Sequence, residues 1–229
     1  MVKTMKIALI SDIHANAFYF KSVLVNIKNE NVDKIICLGD LVGYYDEPNE
    51  VIDLCRNNNI MCLEGNHEEY TLETKVYAKE KEELYRIKVH NKILTKRNRK
   101  FIEELPKEIL LEDEGVSVYC THALPQNSSK YIYNPNDIED VHLRGYDYYC
   151  SGHTHIPYIH YKYGTCLVNP GSVGQPRDYT TLPSYAIINL KEKSVSIKKV
   201  EVDVNAYMKH LEKIKLHLSL RDILVRKNA

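Results

Sequence analysis

Five short blocks hold the residues able to do chemistry, and each falls where an apolar, strand-like run ends. They read Asp12-Ile13-His14, Gly39-Asp40, Gly65-Asn66-His67-Glu68, Thr121-His122 and Gly152-His153-Thr154-His155. Two Asp, one Asn and four His among them supply seven oxygen and nitrogen donors, enough for two divalent metals sharing a carboxylate. Five of the ten histidines in the chain lie in these blocks. That concentration points to metal-assisted hydrolysis of a phosphoester.

The residue types divide the work. Asp12 and His14 sit two apart, so in an extended segment both can face one ion. A carboxylate has two oxygens and can bridge two metals, which makes Asp40 a bridging candidate. Asn66 offers a neutral carbonyl oxygen. His67 cannot easily serve the same ion as its immediate neighbour, which frees it for acid–base work. His153 and His155 are separated by one residue and can face two adjacent ions, with Gly152 relieving crowding as the backbone approaches. Each block alone has a plainer reading: an Asx turn or cap for Asp12 and Asn66, a loop carboxylate for Asp40, a satisfied core histidine for the rest. Their convergence at separate strand ends favours the metal site.

Ligands just beyond strand ends imply rigid strands carrying polar loops. Lys6–Ile10, Lys34–Leu38 and Ile60–Leu63 read as strands. Helices read over Ala17–Asn29, with Asn16 as N-cap, and from Pro48 to Asn57, since proline suits a first turn. This β-α-β-α-β rhythm implies parallel strands with right-handed crossovers. The polar stretch from Glu68 to Asn98 reads as one or two surface helices. Glu108–Glu112 and Val116–Cys120 form a hairpin. Tyr146–Ser151, Cys166–Val168, Ser184–Leu190 and Ser194–Val200 complete a second set of strands, and Asn205–Lys227 reads as C-terminal helices. Two β layers covered outside by helices fit a single α/β domain over residues 1–229.

Composition sets limits. A chain of 229 residues has a sizeable core, and its net charge of zero advertises no nucleic acid, anionic membrane or charged partner. A polymeric nucleic acid is therefore disfavoured as substrate. The apolar run behind Met1–Lys6 breaks at Ser11-Asp12, too soon for a secretory signal, and no stretch is long enough to span a bilayer. Among the six cysteines no Cys-x-x-Cys occurs. Cys120 and Cys150 lie near site histidines and could ligate a metal, yet with Cys37 and Cys62 they suit small buried hydrophobes in a reducing compartment, so a cytoplasmic location is expected. A homo-oligomer is left open.

The ordered blocks resemble those of the calcineurin-like metallophosphoesterase superfamily: Asp-x-His, Gly-Asp, Gly-Asn-His-Asp/Glu, His and Gly-His-x-His. Gly39–Tyr44 and Asn169–Gly174 resemble its small, single-domain bacterial and archaeal phosphodiesterase-like branch. The resemblance implies a four-layer αββα sandwich of two mixed sheets. It implies one metal on Asp12, His14 and His155, another on Asn66, His122 and His153, and Asp40 bridging. It makes His67 the catalytic histidine and Glu68 the acidic residue that steadies it. Ala123 stands where the family often has glycine, and Glu68 replaces the commoner Asp. The metals would be manganese first, with iron, nickel, cobalt or zinc as alternatives.

The implied reaction is in-line attack of a metal-bridging hydroxide on phosphorus, with His67 as general acid. Protein phosphatases of this superfamily carry arginines beside the second and third motifs, where this chain has Val42-Gly43 and Glu64. An acidic residue there argues against a monoester dianion and for a small phosphodiester or nucleotide. Arg177 is the remaining cation placed to reach the phosphate, against a surface ion pair. Tyr44, Tyr45, Tyr131, Tyr133 and Tyr179 fall in loops that could rim the pocket and stack an aromatic group, against the plainer reading of amphipathic surface tyrosines. Lys92, Lys96, Arg97, Arg99 and Lys100 read as a solvated helix face. The competing functions are a phosphomonoesterase or protein phosphatase, a nucleotide or metal sensor, and a non-catalytic scaffold for protein partners.

Overall fold

The computed structural model describes residues 5–143 and 145–225. Short apolar runs there pair into ten strands: β1 Lys6–Ile10, β2 Lys34–Cys37, β3 Met61–Cys62, β4 Glu108–Asp113, β5 Val116–Thr121, β6 Tyr148–Cys150, β7 Tyr158–Lys162, β8 Thr165–Asn169, β9 Ser184–Asn189 and β10 Ser194–Lys199. They form two five-stranded sheets, ordered β10-β9-β1-β2-β3 and β4-β5-β6-β8-β7. Both are mixed. β1, β2 and β3 run parallel, as do β5, β6 and β8, and antiparallel strands complete the edges.

Side chains alternate across a strand, and this builds the layers. Ile7 and Leu9 of β1 face inward with Ile36 and Leu38, against Val118, Cys120, Cys150 and Val168 of the other sheet. Ala8 and Ile10 face outward and pack under α1 (Ala17–Lys28) and α2 (Pro48–Asn57) through Phe20, Val23, Ile27 and Val51. Asn16 caps α1 by accepting from the Tyr19 N–H at 3.0 Å, and Pro48 opens α2. A tight two-residue hairpin loop favours positive φ at both positions. Glu114 and Gly115 meet that need with φ of 48° and 80°, closing the β4–β5 hairpin.

The four layers agree with the expected α/β sandwich, though the outer faces differ. The second sheet is covered by the largely irregular stretch from 123 to 143, with Ile132, Ile138 and Leu143 on Tyr119, Tyr149 and Leu167. Its only helices among the described residues are a 3₁₀ turn and a single short helix, Asp140–Leu143. The polar stretch after Glu68 divides further than expected, into α3 Asn66–Thr71, α4 Glu82–Tyr85, α5 Ile87–Ile93 and α6 Lys96–Glu103. Asp140–Leu143 is α7, and the C-terminal helices are α8 Val204–Lys213 and α9 Leu218–Val225; Arg226 and Lys227, expected in the last helix, lie outside the described residues. Strand β7 was not expected from sequence. Its half-buried residues carry His, Tyr and Lys on an edge, so no apolar run marks it. All six cysteines are buried and free.

Candidate metal centre

The loops after β1, β2, β3, β5 and β6 meet at one end of the two sheets. They bring Asp12, His14, Asp40, Asn66, His67, His122, His153 and His155 together, each at most 4% exposed. The backbone there is unusual. Asp12, His14, Asp40, His153 and His155 all adopt left-handed φ between 51° and 66°, a conformation that costs a non-glycine residue energy and clusters at functional sites. Backbone hydrogen bonds fix these loops: Asp12 N–H to Gly39 O at 3.0 Å, His14 N–H to Asp40 O at 2.9 Å, and Gly152 N–H to His122 O at 2.9 Å. A side chain at Gly152 would collide with Ser11 Oγ and approach Asp12 Oδ2 to 2.9 Å, so the close approach needs glycine.

Hydrogen bonds settle the tautomers. A backbone carbonyl can only accept, so each Nδ1 facing one carries the proton. His14 Nδ1 donates to Val42 O at 3.0 Å, His122 Nδ1 to Leu38 O at 2.8 Å and His155 Nδ1 to Gln175 O at 2.7 Å. Their Nε2 atoms turn inward, as in metal-ligating histidines held from behind by a carbonyl. His14 Nε2 and His155 Nε2 stand 3.1 Å apart; His122 Nε2 stands 3.2 Å from His153 Nδ1 and 3.0 Å from Asn66 Oδ1. His14 and His155 both commit their Nδ1 protons to carbonyls, so as neutral rings their Nε2 lone pairs would face each other, whereas a cation between them satisfies both. Asp40 Oδ2 lies between the two sets, 3.7 Å from His14 Nε2 and 3.5 Å from His122 Nε2. Asp12 Oδ1, 3.3 Å from His155 Nε2, has no hydrogen-bond donor among the described residues.

Electrostatics agree with a cation site. Burial favours neutral Asp12 and Asp40, but the surrounding histidines outweigh it and hold both carboxyls below the usual range. Burial also disfavours charge on His122, yet the Asp40 and Asp12 carboxylates push it up to about 10. Buried anions demanding positive charge, with nitrogen and oxygen donors in reach, fit divalent metals. Asp12, His14 and His155 have donor atoms within 4.8 Å of one another; so do Asp40, His122 and His153, and also His14, Asp40 and His67. Asn66 adjoins the second set.

His67 is packed among rings: Tyr44 at 4.9 Å, Tyr85 at 4.7 Å and Tyr70 at 5.5 Å between centroids. Burial lowers it to about 4. A side chain at Gly43, φ 90°, would run into His67 Nδ1. Glu68 differs from expectation. Its carboxylate accepts from the backbone N–H groups of Asp40, Leu41 and Gly65 at 2.8 Å and of Val42 at 3.2 Å. Both oxygens are thus engaged with the Asp40–Val42 loop and the start of α3, and Glu68 steadies the Asp40 loop rather than the His67 ring. Asp40 Oδ1 in turn accepts from the His67 N–H at 2.9 Å.

Tyr44 packs edge-on to His14 at 4.6 Å, and its hydroxyl lies 3.3 Å from Arg177 Nη2, placing both at the site. Tyr131 covers His153 at 4.1 Å and stacks on Tyr133. Tyr45 is corrected: it is wholly buried, its hydroxyl donating to Leu220 O beneath the C-terminal helices. Tyr179 is 74% exposed and belongs to none of these ring contacts. Tyr70 and Tyr85 were missed, as was His90, a buried residue of α5. Its Nδ1 accepts from the Gly43 N–H at 3.0 Å and its Nε2 donates to Tyr45 O at 2.8 Å, which fixes the loop carrying Tyr44. Nothing in a polar helix sequence distinguishes His90 from a surface histidine. Glu64 pairs with Lys107 at 3.5 Å, and on the α6 face Arg99 and Lys100 pair with Glu103 and Glu104.

A mixed two-sheet sandwich with nitrogen and oxygen donors at the ends of its parallel strands defines a class. The chain belongs to the calcineurin-like phosphoesterase superfamily, whose domain matches residues 5–193. It is 36% identical over 233 residues to an uncharacterized protein of Methanocaldococcus jannaschii, covering 91% of this chain and 93% of that one. A metallophosphoesterase from Sphaerobacter thermophilus is similar in structure, with a TM-score of 0.82 and 25% identity over 99% of this chain and 100% of that one. An archaeal phosphodiesterase shares the fold at a TM-score of 0.54 and 20% identity, covering 86% of this chain and all of that one. The chain is thus a phosphoric ester hydrolase by family, with residue groups suited to divalent metals. No helix among the described residues is long and apolar enough to cross a membrane.

Proposed function

We propose that residues 1–229 act as one catalytic domain that hydrolyses a small phosphodiester or nucleotide with two divalent metals, manganese first among them. Asp12, His14 and His155 would hold one metal, Asn66, His122 and His153 the other, and Asp40 both. The observation that carries this reading is the position of Asp40 Oδ2, within 3.7 Å of inward Nε2 atoms from both histidine sets. When bound, the metals would polarise a phosphoryl oxygen and make water a stronger nucleophile at neutral pH.

The protein's own residues do the rest. His67 gives a ring proton to the ester oxygen that leaves. Burial, outweighing the pull of Asp40, keeps its ring neutral, and the negative phosphodiester, brought beside it, favours the protonated form. Glu68 holds the Asp40 loop so that the bridging carboxylate meets both sets. Arg177, held by Tyr44 and Gln175, presents the cation nearest this face. Glu64, paired with Lys107, occupies the place where protein phosphatases of this superfamily carry arginine, which supports a diester. The archaeal phosphodiesterase that shares the fold lends the same direction. Six buried free cysteines suit a reducing, cytoplasmic setting.

The test is hydrolysis of bis-p-nitrophenyl phosphate against p-nitrophenyl phosphate, after metal stripping and Mn²⁺ reconstitution. Metal-dependent turnover favouring the diester is expected. Preference for the monoester would overturn the substrate class, and no turnover with both metals bound would favour a scaffold.

A further inference from the structure

A cavity of about 480 Å³ lies directly behind the rings that enclose His67, and the hydrolytic chemistry does not account for it. Its lining includes Tyr44, Tyr85, Tyr131 and Arg177, which meet the site, and Ser219, Asp222 and Ile223 of α9. Each of the three tyrosines touches an imidazole of the centre: Tyr44 lies on His14 and His67, Tyr85 on His67, and Tyr131 on His153. The cavity is therefore one ring's thickness from the reacting groups. Larger hollows beside Asp147 and beside Lys34 are lined by none of the ligand residues.

Three features define what the cavity would take. Its volume falls within the usual range of small-molecule pockets. Tyrosine rings give planar, apolar surface with polar edges, the chemistry that stacks flat heteroaromatic rings. Tyr131, at 42% exposure, gives a ligand access to that surface. Arg177 and Lys81 bring two cations to the same cavity against the one carboxylate of Asp222, which complements a bound phosphate. The α9 wall lies beyond residues 5–193, the part matched to the family, so the pocket is closed by a segment outside the shared domain.

We propose that this cavity is the subsite for an aromatic ring on the alcohol half of the diester, a nucleobase or an aryl group. The inference rests on the hydrolase reading above but is measured apart from it. Adenosine 5′-monophosphate, phenyl phosphate and ribose 5-phosphate are titrated calorimetrically into the Mn²⁺-loaded protein. At least one of the two aromatic phosphates binds about tenfold more tightly than ribose 5-phosphate; the nucleotide leading marks a nucleobase site, phenyl phosphate leading an aryl site. Tyr131→Leu removes stacking surface, and Ser219→Trp fills the cavity from α9. In both, the aromatic advantage falls toward unity; with Ser219→Trp, which touches no ligand residue, ribose 5-phosphate affinity and metal content also hold. Equal binding of all three phosphates overturns the proposal, as does an advantage that survives both substitutions. Aromatic preference without diester turnover keeps the subsite and removes the hydrolase reading; turnover without preference does the reverse.

Discussion

The two sheets contribute to the centre in different currencies of charge. Loops of the first sheet supply Asp12, Asp40 and Asn66, the oxygen donors, with His14 alone as nitrogen. Those of the second supply only histidines: His122, His153 and His155. The first set is braced internally, because Glu68 gathers four backbone N–H groups from the Asp40 and Gly65 loops. The second leans on the first, since His122 Nδ1 donates to Leu38 O and the His153 N–H to Asp12 Oδ2. The oxygen side thus organises the histidine side, and metal affinity is expected to depend on the packing of one sheet on the other.

This asymmetry can be broken by mutation. Asp40→Asn removes the shared anion and is expected to abolish both metal occupancy and diester turnover. His122→Ala should empty only one position, read by elemental analysis; loss of both metals in His122→Ala would refute the ordering. His67→Ala tests a residue outside both sets, with turnover falling about 10²–10⁴-fold and metal content unchanged. If metal is lost with it, His67 is a ligand, in keeping with its grouping beside His14 and Asp40. Glu68→Gln places an amide against backbone donors and should lower stability by about 3 kcal/mol in urea unfolding, with weakened metal binding. Removing a brace from the histidine side has no such single target.

The smallest expected effect concerns His90. Burial lowers it to about 4 from an ordinary 6.5, and its Nδ1 must stay unprotonated to accept from Gly43. Its folded value lies below its unfolded one, so the stability it adds is full above about pH 6.5 and is lost as pH falls toward 4. His90→Gln should flatten that part of the stability profile relative to the parent, leaving metal content alone. An unchanged slope would show that His90 does not hold the loop.

The sequence made the donor set legible because each donor stands at a strand end and its chemistry is carried by residue type. Asn16 and Pro48 marked helix starts for similarly local reasons. What stayed hidden depends on distant packing. Glu68 was read beside its neighbour His67, but its oxygens reach a loop 26 to 28 residues earlier. Tyr45 follows Tyr44, yet its ring lies against Tyr207 and its hydroxyl reaches Leu220 O, whereas Tyr44 lies on His14 and His67. Left-handed backbone at five of the proposed ligands also leaves no trace in Asp and His codes, since these residues occupy ordinary regions elsewhere.

The placement of β1 carries a consequence for synthesis. One of its neighbours, β2, follows within thirty residues, but the other, β9, begins only at Ser184. While the ribosome extends the middle of the chain, Lys6–Ile10 therefore has a bare hydrogen-bonding edge bordered by apolar side chains, the kind of edge that captures other strands. Nascent chains halted before Ser184 are expected to depend on chaperones or to aggregate, whereas release past Asn189 lets the central strand close.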